Sequence, residues 1–135
     1  MALVYKQQGD LQEAATLHRK ALAIKLKVYG PHHPSVALTQ TGLANVLRDT
    51  GEPDEALKLY VSASASIEKA YGPLHPDLAN VLEDMGNLYR SKRKFRDASS
   101  AFKRALQIRR SVYGDEHPLV AKTLESIEIN AEMSK

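Results

Sequence analysis

The chain has no cysteine, no tryptophan, 6% aromatic residues and a formal charge of only +3. Without cysteine, disulfide scaffolds, thiolate metal sites and cysteine nucleophiles are excluded. A reducing compartment is compatible with that absence, and the expected location is cytoplasmic. No run approaches the roughly 20 apolar residues that span a bilayer. The opening MALVYKQQGD also lacks the basic start and apolar stretch of a signal peptide. There is no nucleophile elbow, no phosphate-cradling glycine loop and no set of carboxylates and histidines at ligand spacing. The chain is therefore expected to be no enzyme and to hold no cofactor and no metal. A surplus of 19 basic over 16 acidic side chains is too slight to imply nucleic acid by itself. What remains, at 135 residues, 43% apolar and 26% charged, is the composition of an ordinary globular domain.

What the chain does have is repetition. YGPHHP at Tyr29 to Pro34, YGPLHP at Tyr71 to Pro76 and YGDEHP at Tyr113 to Pro118 recur every 42 residues. Other columns keep the same step: Ala14, Ala56 and Ala98; His18, Tyr60 and Phe102; Ala21, Ala63 and Ala105; Leu43, Met85 and Ile127.

Within one unit, Ala56, Tyr60, Ala63, Ile67 and Ala70 have the spacing that lines one helix face. Pro53, Asp54 and Glu55 suit a helix start and Gly72 a left-handed stop, which predicts a helix over 53–71. Val36, Leu43, Ala44 and Leu47 predict another over 34–49. Each unit is then an amphipathic helical hairpin that cannot bury its apolar stripes alone. The predicted fold is all-α, a right-handed α-solenoid of stacked hairpins with about seven helices. It is read as a single array over 1–135, with a partial repeat at 1–33, full repeats at 34–75 and 76–117, and a partial capping repeat at 118–135. The first helix of the first unit keeps about two turns. Incomplete units at both ends suggest a piece of a longer array.

The small residue in the first helix (Ala44, Gly86), the glycine turn (Gly51) and the Ala, aromatic, Ala pattern of the second helix resemble tetratricopeptide repeats. The 42-residue period and GPxHP-type linker are similar to the kinesin-light-chain type. The resemblance implies a right-handed superhelix whose first helices line a concave, peptide-binding groove. It places Asn45 and Asn87 there, with Lys6, Arg48 and Arg90 one turn further on. Asn both donates to and accepts from a peptide backbone, and Arg and Lys seek carboxylates. Where kinesin-light-chain repeats often carry an Asn pair, this chain has Thr41 and Gly42, Glu83 and Asp84, and Glu125 and Ser126. Thr41 and Glu83 are accordingly counted in the groove, whose mixed charge suits a ligand of alternating sign.

The histidines preceding proline, His33, His75 and His117, lie one repeat apart and are read as helix-start residues. His18 is read as a packing residue, and Glu83 with Asp84 as two exposed, solvated acids. Glu128, in the Ala44 and Gly86 column, would be a solvent-facing cap. Residues 85–110 hold nine bases against Asp97 alone, centred on a basic edge of Lys92, Arg93, Lys94 and Arg96. Stacking platforms for nucleic acid are missing there. The sequence thus points to a non-catalytic module that binds an extended or helical, acidic peptide of a protein partner. The alternatives are a basic surface for RNA or anionic membrane, both disfavoured, and an architectural segment. Open apolar residues at Leu3, Val4, Ile127 and Ile129 predict weak self-association through the ends.

Overall fold

The computed structural model describes the backbone of residues 2–135 and the side chains from residue 9 onward. Six helices account for most of it: α1 (Ala2–Tyr29), α2 (Pro34–Asp49), α3 (Pro53–Tyr71), α4 (Pro76–Ser91), α5 (Phe95–Tyr113) and α6 (Pro118–Met133). No strand occurs among the described residues. The chain divides into two compact units, residues 1–66 and 67–135. In the first, α1 packs on α2; in the second, α4 packs on α5 and α5 on α6.

The YGxxHP linkers show why the helices start and stop where they do. Gly30, Gly72 and Gly114 stand at φ of 83°, 93° and 85°, a left-handed conformation open to glycine without a steric penalty. Proline then occupies the first helical position, where its missing N–H is no loss. The histidine before it is the N-cap: Nδ1 of His33, His75 and His117 accepts from the backbone N–H of Ser35, Asp77 and Leu119 at 3.0, 3.1 and 3.1 Å. Each imidazole also stacks on the tyrosine that ends the preceding helix, with ring centroids 4.4, 4.3 and 4.3 Å apart. The helix-start reading of these histidines holds, and the tyrosine is part of the same clasp.

The packing columns are those of the repeat. Ala56, Tyr60, Ala63 and Ile67 are buried on α3, as are Ala98, Phe102 and Ala105 on α5. Ala70 departs from its predicted face and is exposed, in the last turn where the chain leaves for the linker. Within the second unit the close approach of α4 and α5 depends on Gly86. A Cβ there would stand 2.6 Å from Phe102 Cδ1. In the first unit His18 fills the same column and its ring lies against Gly42, so it is a packing residue as expected.

The helix count is six rather than seven. The expected break falls at Gly9, in the column of Gly51 and Arg93, which take φ of 85° and 63° in their turns. At Gly9 the helix continues. An arm of two turns is too short to stand as a helix of its own, whereas continuing keeps each backbone hydrogen bond. Gly9 and Gly86 are therefore opposite cases. At Gly9 a Cβ would meet nothing within 4 Å, so Gly9→Ala should add about 0.5–1 kcal/mol through helix propensity. Gly86→Ala should lose about 1–3 kcal/mol to overpacking despite the same propensity gain. Urea titrations of the two variants check the pair, and Phe102→Leu should recover most of the Gly86→Ala loss.

Candidate functional site

The residues expected to line a groove occupy equivalent places on α2 and α4. In the first unit the Tyr60 hydroxyl donates to Asn45 Oδ1. Arg48 reaches the same hydroxyl with Nη1 at 3.5 Å, and its Nε reaches Asp49 Oδ1 at 3.4 Å. In the second unit Phe102 replaces Tyr60 and has no hydroxyl, and the Arg90 guanidinium instead lies 5.9 Å from its ring centroid. Both arginines are thus steadied on an aromatic of the second helix while remaining partly open to solvent. Asn45 and Asn87 are likewise half-buried. Thr41 turns its hydroxyl back to Ala37 O at 2.9 Å. Lys6 lies outside the residues whose side chains are described.

Glu83 corrects the sequence reading. It is not a solvated acid but 1% exposed, in a buried network of the second unit. Arg109 Nη1 donates to Glu83 Oε1 at 3.2 Å and to Thr123 Oγ1 at 2.8 Å, and Nη2 donates to Asn80 Oδ1 at 3.0 Å. Thr123 Oγ1 is also 3.3 Å from Glu83 Oε1. Burial pushes the Glu83 carboxyl above the usual carboxylate range; Arg109, Lys122 and the hydroxyl contacts oppose that shift without cancelling it. Asp84, its neighbour, is half-buried rather than exposed. For Glu83 the cause is the adjoining helix layer: Arg109 of α5 and Thr123 of α6 pack against it, so a position that is outward on an isolated α4 is covered.

A signal for this network exists in the columns. Lys25, Ile67 and Arg109 share one column, and Thr39, Val81 and Thr123 another. Each cation is matched with threonine and the isoleucine with valine, and Lys25 Nζ does donate to Thr39 Oγ1 at 2.9 Å in the first unit.

At the basic edge, Arg93, Lys94 and Arg96 are exposed and Lys92 is half-buried as the C-cap of α4. Arg93 holds φ of 63° where the preceding corner has Gly51, a conformation that costs a side-chain-bearing residue roughly 1–2 kcal/mol. The wider basic block is not all surface: Arg109 is buried on Glu83, and Arg104 pairs with Glu68 at 2.6 Å. An open groove of about 500 Å³ lies between α5 and α6, lined by Phe95, Arg96, Lys103, Ile127 and Asn130. Asn130 Nδ2 donates to Phe95 O at 3.0 Å. Among the described residues no three His, Asp or Glu side chains come together as a metal would need, and no helix is long and apolar enough to cross a membrane.

Arg109→Ile would strand a buried carboxylate, and should cost about 3–5 kcal/mol at neutral pH. Glu83→Thr, Arg109→Ile and Thr123→Val together install the residues of the same columns one repeat earlier, Thr41, Ile67 and Val81, and should return stability to the wild-type level or above. Because the folded state holds the Glu83 proton to higher pH than the unfolded chain does, wild-type stability relative to the triple variant should fall as pH rises from the ordinary carboxylate range through the raised value. Urea midpoints of both proteins between pH 4 and 7 check the direction, and a wild type that gains on the variant over that interval would show that Arg109 outweighs burial.

The profile described as tetratricopeptide repeat matches residues 1–66 and 35–111. Among curated proteins none matches. Three solved structures share the fold over 98% of this chain: BtubC (BKLC) from P. vanneervenii, at 21% identity and a TM-score of 0.87, and two of a protein from Podosopora anserina described as a kinesin light chain with nearly identical TPR-like repeats, both at 23%, with TM-scores of 0.86 and, for a substituted form of it, 0.85. This chain spans 53% of the first and 63% and 62% of the others. The architecture they share with it is the α-solenoid expected from the columns.

Proposed function

Since the chain belongs to the tetratricopeptide repeat family, whose members generally mediate protein–protein interaction, we propose that it is a non-catalytic, cytoplasmic module binding an acidic, extended peptide of a protein partner. The observation that carries this reading is the Asn and Arg pair repeated in register on α2 and α4. Asn45 with Arg48 and Asn87 with Arg90 each put an amide and a guanidinium side by side. An extended peptide offers complementary groups in the same order, a backbone amide for Asn and a carboxylate for Arg. The arginines are positioned before any ligand arrives, Arg48 by the Tyr60 hydroxyl and Arg90 by the Phe102 face. Little side-chain freedom is then left to lose on binding. Glu83, buried on Arg109, takes no part in this reading.

The probe is a fluorescent peptide of alternating glutamate and serine, titrated by anisotropy at two salt concentrations. Arg48→Ala with Arg90→Ala should weaken it at least tenfold and flatten its salt dependence, since the attraction acts over a Debye length of about 10 Å at 0.1 M salt. Reversing Lys92, Arg93 and Lys94 to glutamate should change peptide affinity by less than about threefold, well under the tenfold that 1.4 kcal/mol represents. If the edge variant loses the peptide while the double arginine variant retains it, the α2 and α4 site is wrong. Binding of a single-stranded RNA or an anionic vesicle that depends on the edge alone would favour the basic-surface alternative.

A further inference from the structure

The buried network of the second unit has one member at the surface. Arg109 Nη1 is engaged by Glu83 and Thr123, and Nη2 donates to Asn80 Oδ1 at 3.0 Å. Arg109 and Glu83 are buried, whereas Asn80 is exposed. A guanidinium has donors and no acceptor, so the Asn80 atom that meets it can only be the oxygen. Nδ2 is thereby turned away from the core, at a position whose neighbours Leu78, Ala79 and Val81 are all buried. We propose that Arg109 is a positioning residue and Asn80 a further binding residue, its amide held as a fixed donor to a backbone carbonyl of the peptide ligand. This rests on the peptide-binding reading above and adds to it a contact on α4 that carries no charge.

The two residues enter the repeat together. Leu38 and Ile67 stand one repeat earlier in the columns of Asn80 and Arg109. An arginine that served only to neutralise Glu83 would need no amide at the exposed position, where leucine suffices one repeat earlier. Asn80 also shares a stripe of α4 with Asn87, seven residues and roughly 10 Å further along the axis, so both amides front one face. Asp77 and Asp84 stand one turn to either side of Asn80. They repel a carboxylate and leave a neutral carbonyl as the acceptor that suits the amide. Lys122, exposed in the same column of α6, is left for an acidic side chain of the same ligand. Glu83 and Thr123 act from behind: by holding Nη1 they give Nη2 one direction in which to donate. The amide is then ordered before a ligand arrives, and that ordering is no longer charged against binding.

The test uses the alternating glutamate and serine peptide by anisotropy, with a urea midpoint for each protein. Asn80→Asp keeps an acceptor for Arg109 and loses the donor, whereas Asn80→Ala loses both. Each should weaken the peptide about fivefold, the scale of one hydrogen bond. The loss should persist at high salt, where repulsion by the new aspartate is screened to about 3 Å at 1 M. If only Asn80→Ala weakens the peptide at that salt, Asn80 serves the fold and the proposal falls. The Glu83→Thr, Arg109→Ile and Thr123→Val triple variant keeps Asn80 but frees its amide. It should bind about threefold more weakly at undiminished stability, with the NMR order parameter of the Asn80 side chain falling from the rigid range near 0.85 to below about 0.6. Wild-type affinity in the triple variant, or an Asn80 amide equally mobile in both proteins, overturns the positioning role. Arg48→Ala with Arg90→Ala is measured alongside. Loss of the peptide in that variant with unchanged affinity in both Asn80 variants overturns this inference alone, and a wild type that takes no acidic peptide overturns both readings.

Discussion

Two helices can approach only as closely as the smaller side chain at their crossing allows, and in this chain that limit is set by a small residue facing an aromatic. Phe102 is wholly buried over Gly86, where even a methyl group would collide with the ring. Tyr60 is as deeply buried in the first unit, where Ala44 stands in the column of Gly86. Once the crossing is close, the alanines at 56, 63, 98 and 105 fill the remaining space with no exposed surface of their own. The linkers then have one geometry that reconnects the helices, and the Tyr, Gly and His of each linker lock it by a stack, a left-handed turn and an N-cap. Neither arginine of the candidate site could be held as it is without the buried aromatic beside it.

The same packing explains why charge appears inside the second unit. A solenoid built of identical neighbours has no reason to prefer one register over another, because every apolar stripe fits every other. The columns at 25, 67 and 109 and at 39, 81 and 123 break that equivalence by pairing cation with threonine and isoleucine with valine. A cation set against valine would lose its hydrogen bond and retain the desolvation penalty, several kcal/mol for a buried charge. Mismatched neighbours are thereby disfavoured more strongly than matched ones are stabilised, which is how specificity is obtained from groups that contribute little net stability.

Most of the fold was legible because its information is local and repeated. Helix limits at Pro34, Pro53 and Pro118 follow from cap and dipole chemistry within a few residues, and the repeat supplies three readings of each column. The failures share one cause, which is that they depend on what lies on the far side of an element. Glu83 looks solvated when α4 is considered with its own sequence neighbours, yet α5 and α6 close over it. Gly9 looks like a turn because Gly51 is one, but a turn needs an arm long enough to pack. Of the candidate residues, the equivalence of Asn45 with Asn87 and of Arg48 with Arg90 was legible from phase, whereas the aromatic support of the arginines was not. That support is a relation between two helices of a hairpin rather than a property of either.

The contrast between Tyr60 and Phe102 carries a consequence for recognition. In the first unit the hydroxyl engages Asn45 Oδ1 and so leaves the amide nitrogen of Asn45 to donate outward. In the second unit no hydroxyl is present, and Asn87 keeps the choice of donating or accepting. Arg48 shares its charge with Asp49 and the tyrosine oxygen, while Arg90 rests on a ring face with no carboxylate paired to it among the described residues. Two sites equivalent by column are therefore unequal in chemistry. On the function proposed above, the stronger demand for a carboxylate would fall at Arg90, whose guanidinium meets only a ring face, and the stronger demand for a peptide carbonyl at Asn45, whose Oδ1 is already engaged.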